Sequence, residues 1–141
     1  MPFFRIVPET DLRQILMTGQ VPRNREKWAM YDPGTVVCMF EANEFGTALT
    51  QHFKAIGALW GLEPSDSLYV LQFKELALTS IAIDQSARGW NNARVYLEKI
   101  PALKVWVVAR LILAGTSPDF LQIGSIENYA PPKQIAEIIG D

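Results

Sequence analysis

The sequence predicts an α+β fold in one domain, residues 1–141. It predicts a bent mixed β-sheet, two amphipathic helices in the N-terminal half and a short C-terminal helix. A chain of 141 residues has a common length for one domain. Hydrophobic residues make up 49% and charged residues 20%, as in globular proteins. Strand and helix patterns alternate only in the first half, which disfavours a doubly wound parallel sheet.

The first elements follow from local patterns. Residues 3–7 form an apolar stretch that predicts a strand. Pro8 then suits the first turn of a helix, and Gly19 suits its left-handed cap. Between them, apolar residues recur at helical spacing: Leu12, Ile15 and Leu16.

The next elements come after a charged loop, residues 20–34. Residues 35–40 are β-branched and apolar, which predicts a buried strand. An apolar stripe with helical period predicts a second helix over residues 43–60, followed by Gly61. Residues 67–73 predict another strand.

The second half is rich in strand patterns. Residues 76–83, 103–113 and 120–129 predict strands, whereas residues 93–100 fit either a strand or a helix. A short helix is predicted to start at the two prolines 131–132, with inward-facing isoleucines at Ile135, Ile138 and Ile139.

Charge, cysteine use and hydropathy exclude several classes of protein. A net charge of −2 argues against nucleic-acid binding, which usually requires a basic excess. The one cysteine, Cys38, lies in an apolar stretch, which predicts a buried small side chain, with a catalytic thiol as the alternative. No signal-peptide pattern opens the sequence, and no apolar run reaches the about 20 residues of a membrane span. A cytoplasmic protein is therefore predicted.

The familiar catalytic motifs are missing. The sequence has no GxGxxG, GxxxxGK[ST], CxxC or HExxH motif, so no metal is expected. The one histidine, His52, falls on the predicted second helix among apolar residues. Its spacing predicts a histidine beside the core, and a general base is the alternative.

The two ends of the sequence resemble a known fold family. The stretch of residues 3–19, a strand and then a helix with the spacing LxxIL and a glycine, is similar to the opening of ADP-ribosyltransferase-like folds. Residues 126–135, which contain Pro131-Pro132, are similar to the closing strand and helix of those folds. Together the two stretches cover about a quarter of the chain.

The resemblance implies NAD as cofactor and transfer of ADP-ribose as activity. Arg5 then matches the arginine that grips the phosphates, Ser80 the serine that supports the site, and Glu127 the glutamate that engages the ribose. A carboxylate would stabilise the positive charge of an oxocarbenium ion, and a guanidinium suits a diphosphate. Leu78 and Ser125 depart from the family pattern, which favours a degenerate, non-catalytic copy.

Two loops mix cations with aromatic rings. The first loop contains Trp28 and Tyr31 together with the cations Arg23, Arg25 and Lys27. This mixture predicts a nucleotide-binding loop in which Trp28 and Tyr31 contact the cofactor. The second contains Arg88, Trp90 and Arg94. In each, the alternative is a solvated loop with its aromatic ring at the core margin.

Two functions therefore stay open from the sequence. One is an NAD-dependent transferase with a cleft lined by Arg5, Ser80 and Glu127. The alternative is a non-catalytic protein-interaction domain that binds a partner protein through its aromatic loops. The first requires those three side chains to meet in space.

Overall fold

A computed structural model describes residues 2–28, 30–43, 61–84, 92–117 and 121–140. The secondary structure, in chain order, is β1 Phe3–Pro8, α1 Glu9–Thr18, β2 Val37–Glu41, β3 Ser67–Phe73, β4 Ile81–Ile83, β5 Ala93–Tyr96, β6 Val105–Ala114, β7 Gln122–Lys133 and α2 Ile135–Ile139. Short 3-10 turns at Leu78–Ser80 and Ala102–Lys104 precede β4 and β6.

The seven strands form one sheet in the order β4-β5-β2-β1-β3-β6-β7. All six neighbouring pairs are antiparallel. The α+β class is confirmed, with strands dominating, but the predicted mixed sheet is wrong. The strand–helix–strand order at the start of the chain does not produce a parallel pair. Here the chain after α1 returns through a long loop, and β2 runs antiparallel to β1.

Two elements match their local sequence patterns closely. Helix α1 ends at Gly19, which has a φ of 77° and donates its backbone N–H to the carbonyl of Ile15 at 2.8 Å. Leu12 and Ile15 of this helix are fully buried, which contributes about 1.5–3 kcal/mol for each side chain. Strand β3 has the predicted bounds. The second helix was predicted over residues 43–60, and all of these except residue 43 lie outside the described residues.

Other elements differ in their bounds. The predicted strand over residues 76–83 is mostly a 3-10 turn followed by the three residues of β4. The ambiguous residues 93–100 contain strand β5. Strand β7 continues through both prolines, so α2 starts only at Ile135. Ile135 is buried, and Ile138 and Ile139 pack against the core as predicted.

Both faces of the sheet carry apolar clusters. One face packs against α1 and α2 through a cluster that includes Val7, Leu71 and Val107. On the other face, a second cluster includes Ile6, Phe40 and Leu111. A sheet buried on both faces leaves its two edge strands as the places where backbone meets solvent.

Candidate functional site

Residues 20–28 and 30–36, called the Trp28 loop below, are held together by hydrogen bonds from one side chain. The side-chain amide of Asn24 donates to the carbonyls of Glu26 at 2.8 Å and Asp32 at 3.0 Å. Its oxygen accepts backbone N–H groups of Thr35 and Val36, each at 3.1 Å. One side chain therefore satisfies backbone groups on both arms of the loop, which fixes their relative position.

Trp28 anchors this loop to the end of β4. The backbones of Trp28 and Tyr31 exchange two hydrogen bonds of 2.9 and 2.8 Å, which closes a tight turn. The indole Nε1 of Trp28 lies 2.8 Å from both carboxyl oxygens of Asp84 and donates to them. Asp84 directly follows β4, and its own N–H donates to the carbonyl of Ala93 on β5.

The carboxyl group that receives the indole is buried. Asp84 is 5% exposed and is the one buried polar or charged residue in the described parts of the chain. Burying a carboxyl group is costly unless hydrogen bonds compensate. The contact between Trp28 and Asp84 therefore locks an aromatic side chain of the loop onto the sheet.

Around this anchor, apolar side chains face solvent. Met30 is 73% exposed, Ile83 is 64% exposed and Trp28 itself is 38% exposed. Arg25 and Lys27 on the same loop are also exposed. The result is an apolar surface with flanking cations, called the Trp28 surface below: Trp28, Met30, Ile83, Arg25 and Lys27.

Arg5 lies in the middle of the sheet and has a structural role. The pairing of β1 with β2 ends at Phe4 and Phe40. Beyond that point, Nη1 of Arg5 donates to the carbonyl of Cys38 at 2.6 Å. The guanidinium group thus links the two strands by a hydrogen bond at the point where their backbone pairing ends. Its Nε is buried without a hydrogen-bond partner.

The charge of Arg5 acts on two neighbours. Burial raises the pKa of the Cys38 thiol, although Arg5 opposes this shift. Cys38 lies on strand β2 as predicted, but it is half-buried and not fully buried. The raised pKa disfavours the thiolate, which is the nucleophilic form of a cysteine. Burial likewise raises the pKa of Asp11 at the start of α1, against the pull of Arg5 and Arg25.

The two predicted catalytic residues, Ser80 and Glu127, lie at the edges of the sheet. Ser80 sits just before β4, where its hydroxyl donates to the carboxylate of Glu98 at 2.7 Å. Glu127 lies on β7, 3.9 Å from the guanidinium of Arg110, and both side chains are substantially exposed. An open groove beside Glu127 is lined by residues 127–133 and Glu137.

The expected convergence of Arg5, Ser80 and Glu127 is therefore absent. Strands β4 and β7 are the first and last of the sheet order, with β1 in the centre. Six strand spacings separate the two edge strands in that order, and Ser80 and Glu127 contact different side chains, Glu98 and Arg110. The expectation failed because the spacing of residues along a chain does not reveal the order of strands in a sheet.

Trp28 and Tyr31, predicted to bind a cofactor, belong to a loop that Trp28 fastens to β4 instead. Sequence reasoning missed Asp84 and Asn24, which hold that loop. Asp84 could have been selected from the sequence, because it is an acidic residue directly after an apolar strand. No pattern in the residues around Asn24 indicates its role. His52, Arg88 and Trp90 lie outside the described residues. Arg94, from the second predicted loop, forms an ion pair of 3.2 Å with Glu41.

Comparisons with known proteins add no identification. No protein-family model, no curated protein and no solved structure matches this chain. Within the described ranges, no cluster of three or more His, Cys, Asp or Glu side chains is placed to hold a metal ion. No helix among the same residues has the length and hydropathy needed to cross a membrane.

Proposed function

We propose that this chain is a non-catalytic protein-interaction domain that binds a partner protein through the Trp28 surface. The observation that carries the proposal is the hydrogen bond from Trp28 to the buried carboxyl group of Asp84. It fixes an aromatic side chain beside apolar residues that face solvent. The partner chemistry that fits is an apolar side chain with a nearby carboxylate, opposite Met30 and the cations Arg25 and Lys27.

Preorganisation is the physical reason to expect binding here. Association costs the ordering of loops and side chains, and a loop that is already fixed avoids that cost. Tryptophan, methionine and arginine are enriched at the centres of protein interfaces. The loop is fixed at three points: the Asn24 hydrogen bonds, the Trp28–Tyr31 turn and the Asp84 contact.

Transfer of ADP-ribose from NAD stays a prediction from the resemblance. Its three residues lie on separate parts of the sheet, and each contacts another protein group: Arg5 with Cys38, Ser80 with Glu98, and Glu127 with Arg110. A shared cleft was the physical basis of that reaction. The interaction function needs no such cleft, and we favour it for this reason.

Selection of peptides from a displayed random library tests the binding proposal. We expect the immobilised protein to enrich apolar peptides that also contain Asp or Glu. Met30→Ser should lower binding of the enriched peptides at least tenfold, because it removes exposed apolar area. Leu103→Ser is the matched control, since Leu103 is 85% exposed but lies outside the Trp28 surface. No enrichment, or equal loss in both variants, would refute the proposal.

Thermal unfolding with NAD tests the alternative. A ligand at about 100 times its dissociation constant adds about 2.7 kcal/mol to stability. We expect no change in Tm at millimolar NAD. A rise of several degrees would favour the nucleotide function over the interaction function.

A further inference from the structure

The outer edge of β7 is the second unusual surface of this protein. β7 spans Gln122–Lys133 and is the last strand of the sheet order. Of its twelve residues, nine are exposed and three are half-buried. Such an edge offers a row of backbone donors and acceptors to another strand.

Among the described residues, one end of this edge is blocked. Residues 129–132 lie opposite Val108 alone, because the pairs on either side are Ala109 with Asn128 and Val107 with Lys133. This bulge contains both prolines, which have no N–H to donate to a new strand. The segment 122–128 contains no proline and stays open to pairing.

The open segment has two chemically different faces. Ile126 pairs with Leu111, which is fully buried in the second apolar cluster, so the side chain of Ile126 lies on the same face of the sheet as that cluster. It is nevertheless 45% exposed. Ser125 and Glu127 project to the opposite face, since side chains alternate along a strand.

We infer that β7 pairs antiparallel with β7 of a second copy of this chain, with Ile126 opposite Ile126 of the partner subunit. This register buries two isoleucines against each other on the face of the sheet that carries this cluster. On the other face, Ser125 of each copy meets the partner's Glu127, so that a hydroxyl donates to a carboxylate twice. The pairing is isologous, as in most two-fold dimers.

Neighbouring registers are chemically worse. A pair centred on residue 127 sets two carboxylates directly opposite each other, which is destabilising. A pair centred on residue 125 sets Gly124 against Ile126 and leaves the isoleucine without an apolar partner. Registers shifted by a single residue place the Ile126 face of one copy beside the Glu127 face of the other.

Mass measurement in solution tests the dimer. We expect the full chain to show twice the mass of one chain by light scattering, and Ile126→Lys to show the mass of one chain. Ile83→Lys, which adds the same charge to the opposite edge, should remain a dimer. A wild-type monomer at every concentration up to about 1 mM, the weak end of specific association, would overturn the inference.

Disulfide formation tests the register itself. In a Cys38→Ala background, Ile126→Cys should form a covalent dimer under mild oxidation, because directly opposed Cα atoms lie about 4.5–5.5 Å apart. Asn128→Cys is the control. In the proposed register, position 128 faces position 124 of the other copy, so the two Cα atoms at position 128 are four residues, or about 13 Å, apart along the strands. This exceeds the limit of about 7 Å between the Cα atoms of a disulfide. Equal crosslinking at both positions would overturn the register.

The dimer and the Trp28 surface can be tested apart. Ile126→Lys changes only the β7 edge, so peptide binding by the Trp28 surface should survive in the monomer. Met30→Ser changes only the loop, so its mass should remain that of a dimer. Failure of one proposal therefore leaves the other standing.

Discussion

The two edges of the sheet are protected in opposite ways. The β4 edge is three residues long and is held by side chains from elsewhere: Trp28 reaches Asp84, and Glu98 reaches Ser80. The β7 edge is twelve residues long and largely exposed, and in the described part of the chain a proline-containing bulge interrupts it. Side chains fasten both ends of the β4 edge, whereas residues 122–128 of the β7 edge are exposed or half-buried.

The difference separates two kinds of interaction surface. At the β4 edge, the strand offers three residues for pairing, so we expect recognition to use side chains such as Met30 and Ile83. At the β7 edge, backbone groups are available, so recognition can use strand pairing. Substitutions at the β4 edge should therefore act through the loop, and those at the β7 edge through the β6–β7 pair.

The largest expected effect is that of Trp28→Phe. Phenylalanine keeps the ring but removes the donor to Asp84, which leaves a buried carboxyl group short of one hydrogen bond. We expect a loss of about 1–3 kcal/mol in the free energy of unfolding. Urea unfolding of the purified variant measures it.

Tyr31→Phe is the matched control for that substitution. It removes a hydroxyl from the same turn, while the backbone hydrogen bonds with Trp28 remain. We expect a change within about 0.5 kcal/mol, the usual range for surface substitutions. If both variants lost the same stability, the Asp84 contact would not be what fastens the loop.

At the β7 edge, Gly124→Ala should be the strongest single change. A Cβ on residue 124 would lie 2.7 Å from the Cβ of Ala114 and 3.3 Å from the carbonyl oxygen of Ile112. Neither atom belongs to a flexible side chain, so β7 has to move away from β6. We expect a loss of about 1–2 kcal/mol from this overpacking.

Hydrogen exchange shows where Gly124→Ala acts. Amides of the β6–β7 pair should exchange faster, and those of β4 and β5 should not change. Ser125→Ala is the control, because it alters an exposed neighbour without steric conflict. Faster exchange across the whole sheet would contradict independent edges.

Local patterns predicted some elements well and others not at all. Helix α1 and strand β3 follow from apolar spacing and a glycine cap, which are properties of a few adjacent residues. Pro131 and Pro132 misled the prediction of the C-terminus: they signalled a helix start, but an edge strand tolerates proline because one side of it needs no donor.

The site depended on contacts that no local pattern contains. Trp28 and Asp84 are 56 positions apart, and Arg5 and Cys38 are 33 positions apart. Arg5 was expected to hold a phosphate, yet it donates to a backbone carbonyl where two strands separate. Which strand neighbours which is decided by the packing of both sheet faces, so these pairs become visible only in three dimensions.

A pH-dependent effect should come from Asp11, near the loop residue Arg25. Burial raises the pKa of Asp11 in the folded protein, so the folded state binds this proton more tightly than the unfolded state. Stability from this group is then lost as pH rises through the folded pKa. Asparagine does not titrate, so Asp11→Asn should become more stable relative to the wild type as the pH rises from the unfolded to the folded pKa of Asp11. We expect this gain in the free energy of unfolding to be smaller than the loss caused by Gly124→Ala. Urea unfolding at several pH values gives the difference, and a difference that does not vary with pH would contradict it.

The smallest effects compare the two edges directly through Ser80→Ala and Glu127→Gln. Ser80→Ala removes a 2.7 Å hydrogen bond to Glu98 at the β4 edge, and we expect a loss of about 0.5–1 kcal/mol. Glu127→Gln removes a 3.9 Å ion pair between exposed side chains, for which we expect at most about 0.5 kcal/mol. Both variants should leave any effect of NAD on Tm unchanged, because neither side chain shares a cleft with Arg5. A greater loss in the free energy of unfolding for Glu127→Gln than for Ser80→Ala would contradict this order. It would mean that the ion pair stabilises β7 more than the exposure of its side chains implies.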